Sequence, residues 1–176
     1  MVTLFVTSFL HSQDNNPNKE VIPDSLIGTW MIDAPGQFLE GQGEVPSQIF
    51  KWKFSKMEAK KGAGEFHWLF KRQEDKDFIT VFVAVYDFYI EEGKIHGNMV
   101  KGGSQQKEAM VMEFYDEIKW SYPGDERFKK FGNKKIKPAF EINSDFLFLL
   151  EDHNGDGDFE DEGERQKYTK ENQLKI

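Results

Sequence analysis

A chain of 176 residues, 38% hydrophobic and 15% aromatic with 17 Phe, carries enough apolar side chains for one domain with a packed core. It has no Cys, which excludes a disulfide framework, a thiol nucleophile and cysteine zinc sites, and no run of the roughly 18 apolar residues that a membrane-spanning helix needs. Its net charge of -8, from 31 acidic and 23 basic residues, argues against general nucleic-acid binding, which requires a basic surface.

Residues 1–12, MVTLFVTSFLHS, form an apolar segment that ends in small and polar residues, as the back end of a signal peptide cleaved after Ser12 would. The basic residue expected after Met1 is missing, so an N-terminal strand is the alternative. The expectation is export to a secreted or periplasmic location, with 13–24 as a linker and 25–172 as one domain.

From Leu26 onward the dominant period is two. Phe50, Trp52 and Phe54 alternate with Lys51, Lys53 and Ser55, the pattern of a strand with one face in a core and one in water. Phe66, Trp68 and Phe70 repeat it. Phe78 to Ile90 is a longer β-branched and aromatic run, and Glu91-Glu92-Gly93-Lys94 reads as a hairpin turn into Ile95 to Val100. Gly102-Gly103-Ser104 is expected to break the chain before Ala109 to Tyr115, where Met110, Met112 and Phe114 share a face. Residues 137–142, 145–150 and 165–170 read as the last strands. No segment of ten or more residues has a helical period, so the expected fold is all-β: an antiparallel up-and-down meander of about eight to ten strands. Closure into a barrel would remove exposed edges, and a two-sheet sandwich is the alternative.

Leu26-Ile27-Gly28-Thr29-Trp30 follows a short helical turn at Ile22-Pro23-Asp24-Ser25 and enters the first strand. This resembles the opening of the lipocalin and fatty-acid-binding (calycin) superfamily, over about five residues and the general strand pattern. The resemblance implies a lipocalin-like barrel in which Gly28 and Trp30 are structural, Trp30 plugging one end. It also implies a basic residue of the last strand packed over that Trp, here Arg165 or Lys167. Tyr86-Asp87 reverses the order of the family's central Asp-Tyr pair. The implied function is binding of a small hydrophobic or amphipathic ligand in an interior lined by Phe50, Trp52, Phe54, Phe66, Trp68, Phe70, Met110, Met112 and Phe114. A filled interior is the alternative, because these side chains are bulky.

The acidity is local. Glu151 to Glu164 holds eight carboxylates in fourteen residues and no Lys or Arg, which leaves 23 acids against 23 bases elsewhere. Within it, Asp152, Asn154 and Asp156 occupy positions one, three and five of an EF-hand-like calcium loop, and Gly157 occupies position six, where the backbone must turn sharply. Asp158 at seven would offer its carbonyl, Phe159 would anchor the loop, and Glu160 at nine would act directly or through water. Position twelve is Gly163 in place of the bidentate Glu, so Glu164 is the expected closing carboxylate, with Glu162 next. The flanks read as strands where an EF-hand has helices, so one structural calcium (Ca2+) in a C-terminal hairpin, loop 151–164, is expected in place of a sensor.

Arg127, Lys129, Lys130, Lys134, Lys135 and Lys137 form a basic stretch interleaved with Phe128 and Phe131. It reads as a short helix capped by Asp125 and ended by Gly132, or as an anion-binding patch at the barrel mouth. The four His residues, His11, His67, His96 and His153, have no metal-ligand spacing, no nucleophile elbow occurs, and Asp87 and Glu113 lie in apolar strands, where alternation points each outward and a carboxylate pair is the alternative. No catalytic residue is assigned, and an enzyme is not expected. The alternatives to a ligand-binding protein are a calcium-stabilised surface or adhesion module and a barrel enzyme acting on a lipid or sugar.

Overall fold

The computed structural model describes residues 16–39, 43–108, 113–132, 134–156 and 158–171. The expected leader at 1–12, and Met110, Met112 and Gly157, lie outside the described residues.

A single 3-10 turn at Asp24–Leu26 leads into β1 (Gly28–Ala34). The strands that follow are β2 (Gln37–Leu39), β3 (Gly43–Val45), β4 (Ser47–Glu58), β5 (Lys61–Lys71), β6 (Ile79–Glu91), β7 (Lys94–Gln106) and β8 (Phe114–Ser121). After the one α-helix described, α1 (Glu126–Lys130), come β9 (Lys135–Ile136), β10 (Ala139–Ile142), β11 (Phe146–Leu150) and β12 (Arg165–Lys170). The protein is all-β and antiparallel, as its period of two requires.

Pairing returns on itself. β1 joins β4, then β5, β6, β7, β10, β11 and β12, and β12 joins β1 again, giving a ring of eight strands. The β7–β10 junction is the thinnest, one pair at Lys94↔Ala139, extended by β9 at Gly97↔Ile136. β8 pairs with β7 outside the ring. The expected turn between β6 and β7 is present, with Glu92 and Gly93 both at positive φ (52° and 67°), the geometry that matches the twist of two flanking strands.

Alternate residues of these strands form one core: Trp30, Trp52, Phe54, Tyr86, Phe88, Leu147 and Tyr168, joined by Ile22 and Leu26 from before the first strand. Trp30 is fully buried, and its indole N–H donates to the Leu26 carbonyl at 3.0 Å, which satisfies its only polar atom. Gly28 sits at φ 138°, a conformation that side-chain-bearing residues rarely adopt.

Three sequence expectations are corrected. Gly102-Gly103-Ser104 does not break the chain; all three are buried inside β7. A Cβ on Gly102 would stand 2.7 Å from the Phe131 ring and one on Gly103 2.6 Å from Ile118, so the glycines are where α1 and β8 close onto the sheet. Asp125 does not cap α1 with its side chain, which turns back to accept the Tyr122 N–H at 2.8 Å. Trp68 shares the face of β5 that carries Phe66 and stacks on Phe50 at 6.0 Å, but it is 37% exposed and does not lie inside the core, its indole donating to Gln48 at 3.0 Å.

Candidate metal loop and interior cavity

β11 and β12 pair from Phe146↔Thr169 to Leu150↔Arg165, and one further bond, Glu151 N–H to the Glu164 carbonyl at 2.9 Å, closes the base of the acidic loop. Alternation along β12 then decides where Glu164 points. Arg165 and Lys167 lie outside, over Phe148 and Phe146, so Glu164 shares the opposite face with Tyr168 and is 2% exposed. Its Oε1 accepts the backbone N–H groups of His153 (2.8 Å) and Asn154 (3.3 Å). Its Oε2 is buried and has no partner.

The loop winds around this carboxylate through a series of side-chain to backbone bonds. Asp156 N–H donates to Asn154 Oδ1 (2.8 Å), Asp158 N–H to Asp156 Oδ1 (3.1 Å) and Glu160 N–H to Asp158 Oδ1 (3.0 Å). Gly155, at φ 81°, donates to Asp152 and gives the backbone its bend. As a result Asp156, Asp158 and Glu164 bring one oxygen each to within 4.8 Å of one another. Two ligands on opposite sides of a calcium ion at roughly 2.4 Å stand about 4.8 Å apart, so the three oxygens fit one coordination shell.

Of the six ligands expected from spacing, the structure therefore brings together Asp156, Asp158 and Glu164, and Asp158 contributes its carboxylate where its carbonyl was expected. Asp152 and Glu160 stay outside the cluster. The Asn154 amide N–H donates to Asp156 (3.0 Å) and to Asp161, a residue the spacing did not single out.

Directly below lies a cavity of about 170 Å³. Trp52, Phe66, Phe82, Leu149, Tyr86 and Tyr168 line it, together with the acidic Glu151 and Glu164. Of the lining residues expected from the sequence, Trp52 and Phe66 are in its wall, and Phe54 stacks on Trp52 at 5.3 Å between centroids. Phe50, Trp68, Phe70 and Phe114 do not line it. Burial and the nearby Glu151 carboxylate push the Tyr86 phenol up to about 12. Burial also raises Tyr168, with Glu151 adding to the effect and a hydrogen bond from Trp52 opposing it. Tyr168 donates to Gln166 at 2.8 Å.

No Lys or Arg lines this cavity among the described residues. The basic stretch is turned to other uses: Arg127 donates to the Gln106 carbonyl (3.1 Å), Lys134 donates to the Lys129 (2.9 Å) and Phe131 (2.6 Å) carbonyls, and Phe131 packs on Phe82 at 5.3 Å. Asp87 and Glu113 each face a lysine, Lys61 at 3.7 Å and Lys107 at 3.1 Å, and do not pair with each other. His67 is bonded to Glu65, and His96 stacks on Tyr89 at 5.0 Å.

Comparison with family models, with curated proteins and with solved structures finds no match. The geometry of loop and cavity therefore carries the functional reading.

Proposed function

We propose that this chain is an exported, lipocalin-like β-barrel that holds one structural calcium in its C-terminal hairpin and binds a small hydrophobic or amphipathic ligand in the cavity beneath it. The observation that carries the reading is Glu164, a buried carboxylate whose Oε2 has no hydrogen-bond partner and which brings an oxygen to within 4.8 Å of oxygens of Asp156 and Asp158. A buried polar oxygen left without a partner costs about 1–3 kcal/mol, and a divalent cation removes both that cost and the mutual repulsion of the three acids. Asp156, Asp158 and Glu164 would hold the ion, with loop carbonyls and water completing an oxygen shell of six to eight ligands. Secreted calcium modules bind at about 0.1 to 1 mM; at tenfold excess over the dissociation constant the ion stabilises the fold by about 1.4 kcal/mol. The eight-strand ring supports a barrel over a sandwich, and Trp30 beneath β12 supports the calycin resemblance.

Calorimetric titration of chelator-treated protein tests the reading. Calcium is expected to bind once per chain in the micromolar to millimolar range and to raise the melting temperature, with magnesium much weaker. No heat and no change in melting with calcium would overturn it.

A second reading, a surface module that docks a protein, is favoured by β8, which stands outside the ring and leaves Trp120 and the following Tyr122 exposed at 38% and 53%.

A further inference from the structure

The cavity has a size and a charge that together select a ligand class. An apolar cavity of roughly 150 Å³ accommodates one benzene ring, so the 170 Å³ here suits a body of one ring and leaves no room for a fatty-acid tail. Its polar end carries two carboxylates, Glu151 and Glu164, with no lysine or arginine among the described lining residues. With Glu164 engaged by calcium, Glu151 is the carboxylate that meets a ligand, and it would repel an anionic one. Trp52, Phe66 and Phe82 line the cavity, and aromatic rings attract cations where a face is offered.

The two carboxylates are not equivalent. Glu164 is held by two backbone N–H groups through Oε1, and it shares the cluster of oxygens with Asp156 and Asp158. Glu151 is at the mouth with its side chain 41% exposed, and the imidazole of His153 lies 4.0 Å away. The Glu151 charge also reaches into the cavity, where it contributes to raising both phenols.

We propose that the cavity takes a small organic cation, an ammonium group on a body no larger than one ring, with the charge at Glu151 and the body against Trp52 and Phe66. This rests on the reading of the cavity as a ligand site and adds the charge and size of what it takes. The alkyl-ammonium donates to the carboxylate, and desolvation inside aromatic walls strengthens that contact relative to water.

Calorimetric titration of the full chain in millimolar calcium with three probes of equal size tests it: 2-phenylethylammonium, 2-phenylethanol and phenylacetate. The ammonium is expected to bind at least about tenfold more tightly than the alcohol, and phenylacetate the most weakly. Glu151→Gln is expected to abolish the preference for the ammonium over the alcohol, with a melting temperature near wild type showing that the variant is folded. Equal affinity for ammonium and alcohol, or a preference that survives Glu151→Gln, overturns the charge assignment while the ligand site stands. Binding of none of the three overturns both.

Discussion

The Lys170 ammonium stands 5.0 Å from the centroid of the Trp30 ring, and the two residues are register partners between the last strand and the first. The basic residue over the tryptophan is thus Lys170, where the sequence pointed to Arg165 or Lys167. Both of those lie on the outer face of β12, Arg165 over Phe148 and paired with Glu141 at 2.8 Å. Trp30 is the larger contributor of the pair, being fully buried, while Lys170 is half-buried. Trp30→Ala is expected to cost about 3–5 kcal/mol and Lys170→Met about 0.5–1 kcal/mol in urea denaturation. Equal losses for the two would contradict this division.

Glu164→Gln keeps the oxygen that accepts the His153 and Asn154 N–H groups and removes the charge that has no partner. The metal-free variant is therefore expected to melt no lower than the metal-free wild type. The calcium-dependent rise, about 3–6 °C for wild type at tenfold excess over the dissociation constant, is expected to vanish. Glu160→Gln, outside the cluster, is expected to retain most of it. A Glu164→Gln protein that still responds to calcium would remove this carboxylate from the site.

Gly102 and Gly103 are expected to tolerate no side chain. Alanine at Gly102 would press on Phe131 and at Gly103 on Ile118, and overpacking of this kind costs about 1–3 kcal/mol. The check is a lower denaturation midpoint for each variant at an unchanged slope with denaturant. Midpoints at the wild-type value would mean that α1 and β8 are not seated on β7 as described.

The period of two made the strands legible, and so did the turn at Glu92-Gly93, because both are local properties of the chain. Asp156 and Glu164 of the oxygen cluster were among the residues the loop spacing singled out as ligands, whereas the carboxylate of Asp158 was not, since the spacing assigned that residue its carbonyl. What was not legible depended on contacts between distant segments. Gly102-Gly103 looks like a breaker until Phe131 and Ile118 are seen to need the space. Glu151 and Tyr168 face one cavity only because β11 and β12 pair in one register and Glu164 continues the inward row of β12. That row, Glu164, Gln166 and Tyr168, was readable as an alternation carried back from the strand into the loop. In the basic stretch Arg127 to Lys137, likewise, only the fold shows that Arg127 and Lys134 donate to backbone carbonyls of β7 and α1.

Alkaline pH offers a test of the cavity's electrostatics. In the unfolded chain Tyr86 ionises near 10, whereas in the folded protein burial and the Glu151 carboxylate hold its proton until about 12. A raised phenol contributes stability that is whole below pH 10 and is lost as pH climbs from 10 through 12, because only the unfolded state gains from losing the proton in that window. The loss from this one group is roughly 2 kcal/mol, and Tyr168, raised for the same reasons, adds to it in the same direction. Wild type is therefore expected to lose more stability above pH 10 than Tyr86→Phe, while the difference between the two stays constant from pH 7 to 9. Glu151→Gln brings the folded-state phenol closer to its unfolded value and is expected to shrink the alkaline loss by less than Tyr86→Phe does, since desolvation is the larger cause and the carboxylate the smaller. Parallel urea midpoints for wild type and Tyr86→Phe across the whole range would mean that Tyr86 is hydrated in the folded protein and that the cavity is open to water at its phenol.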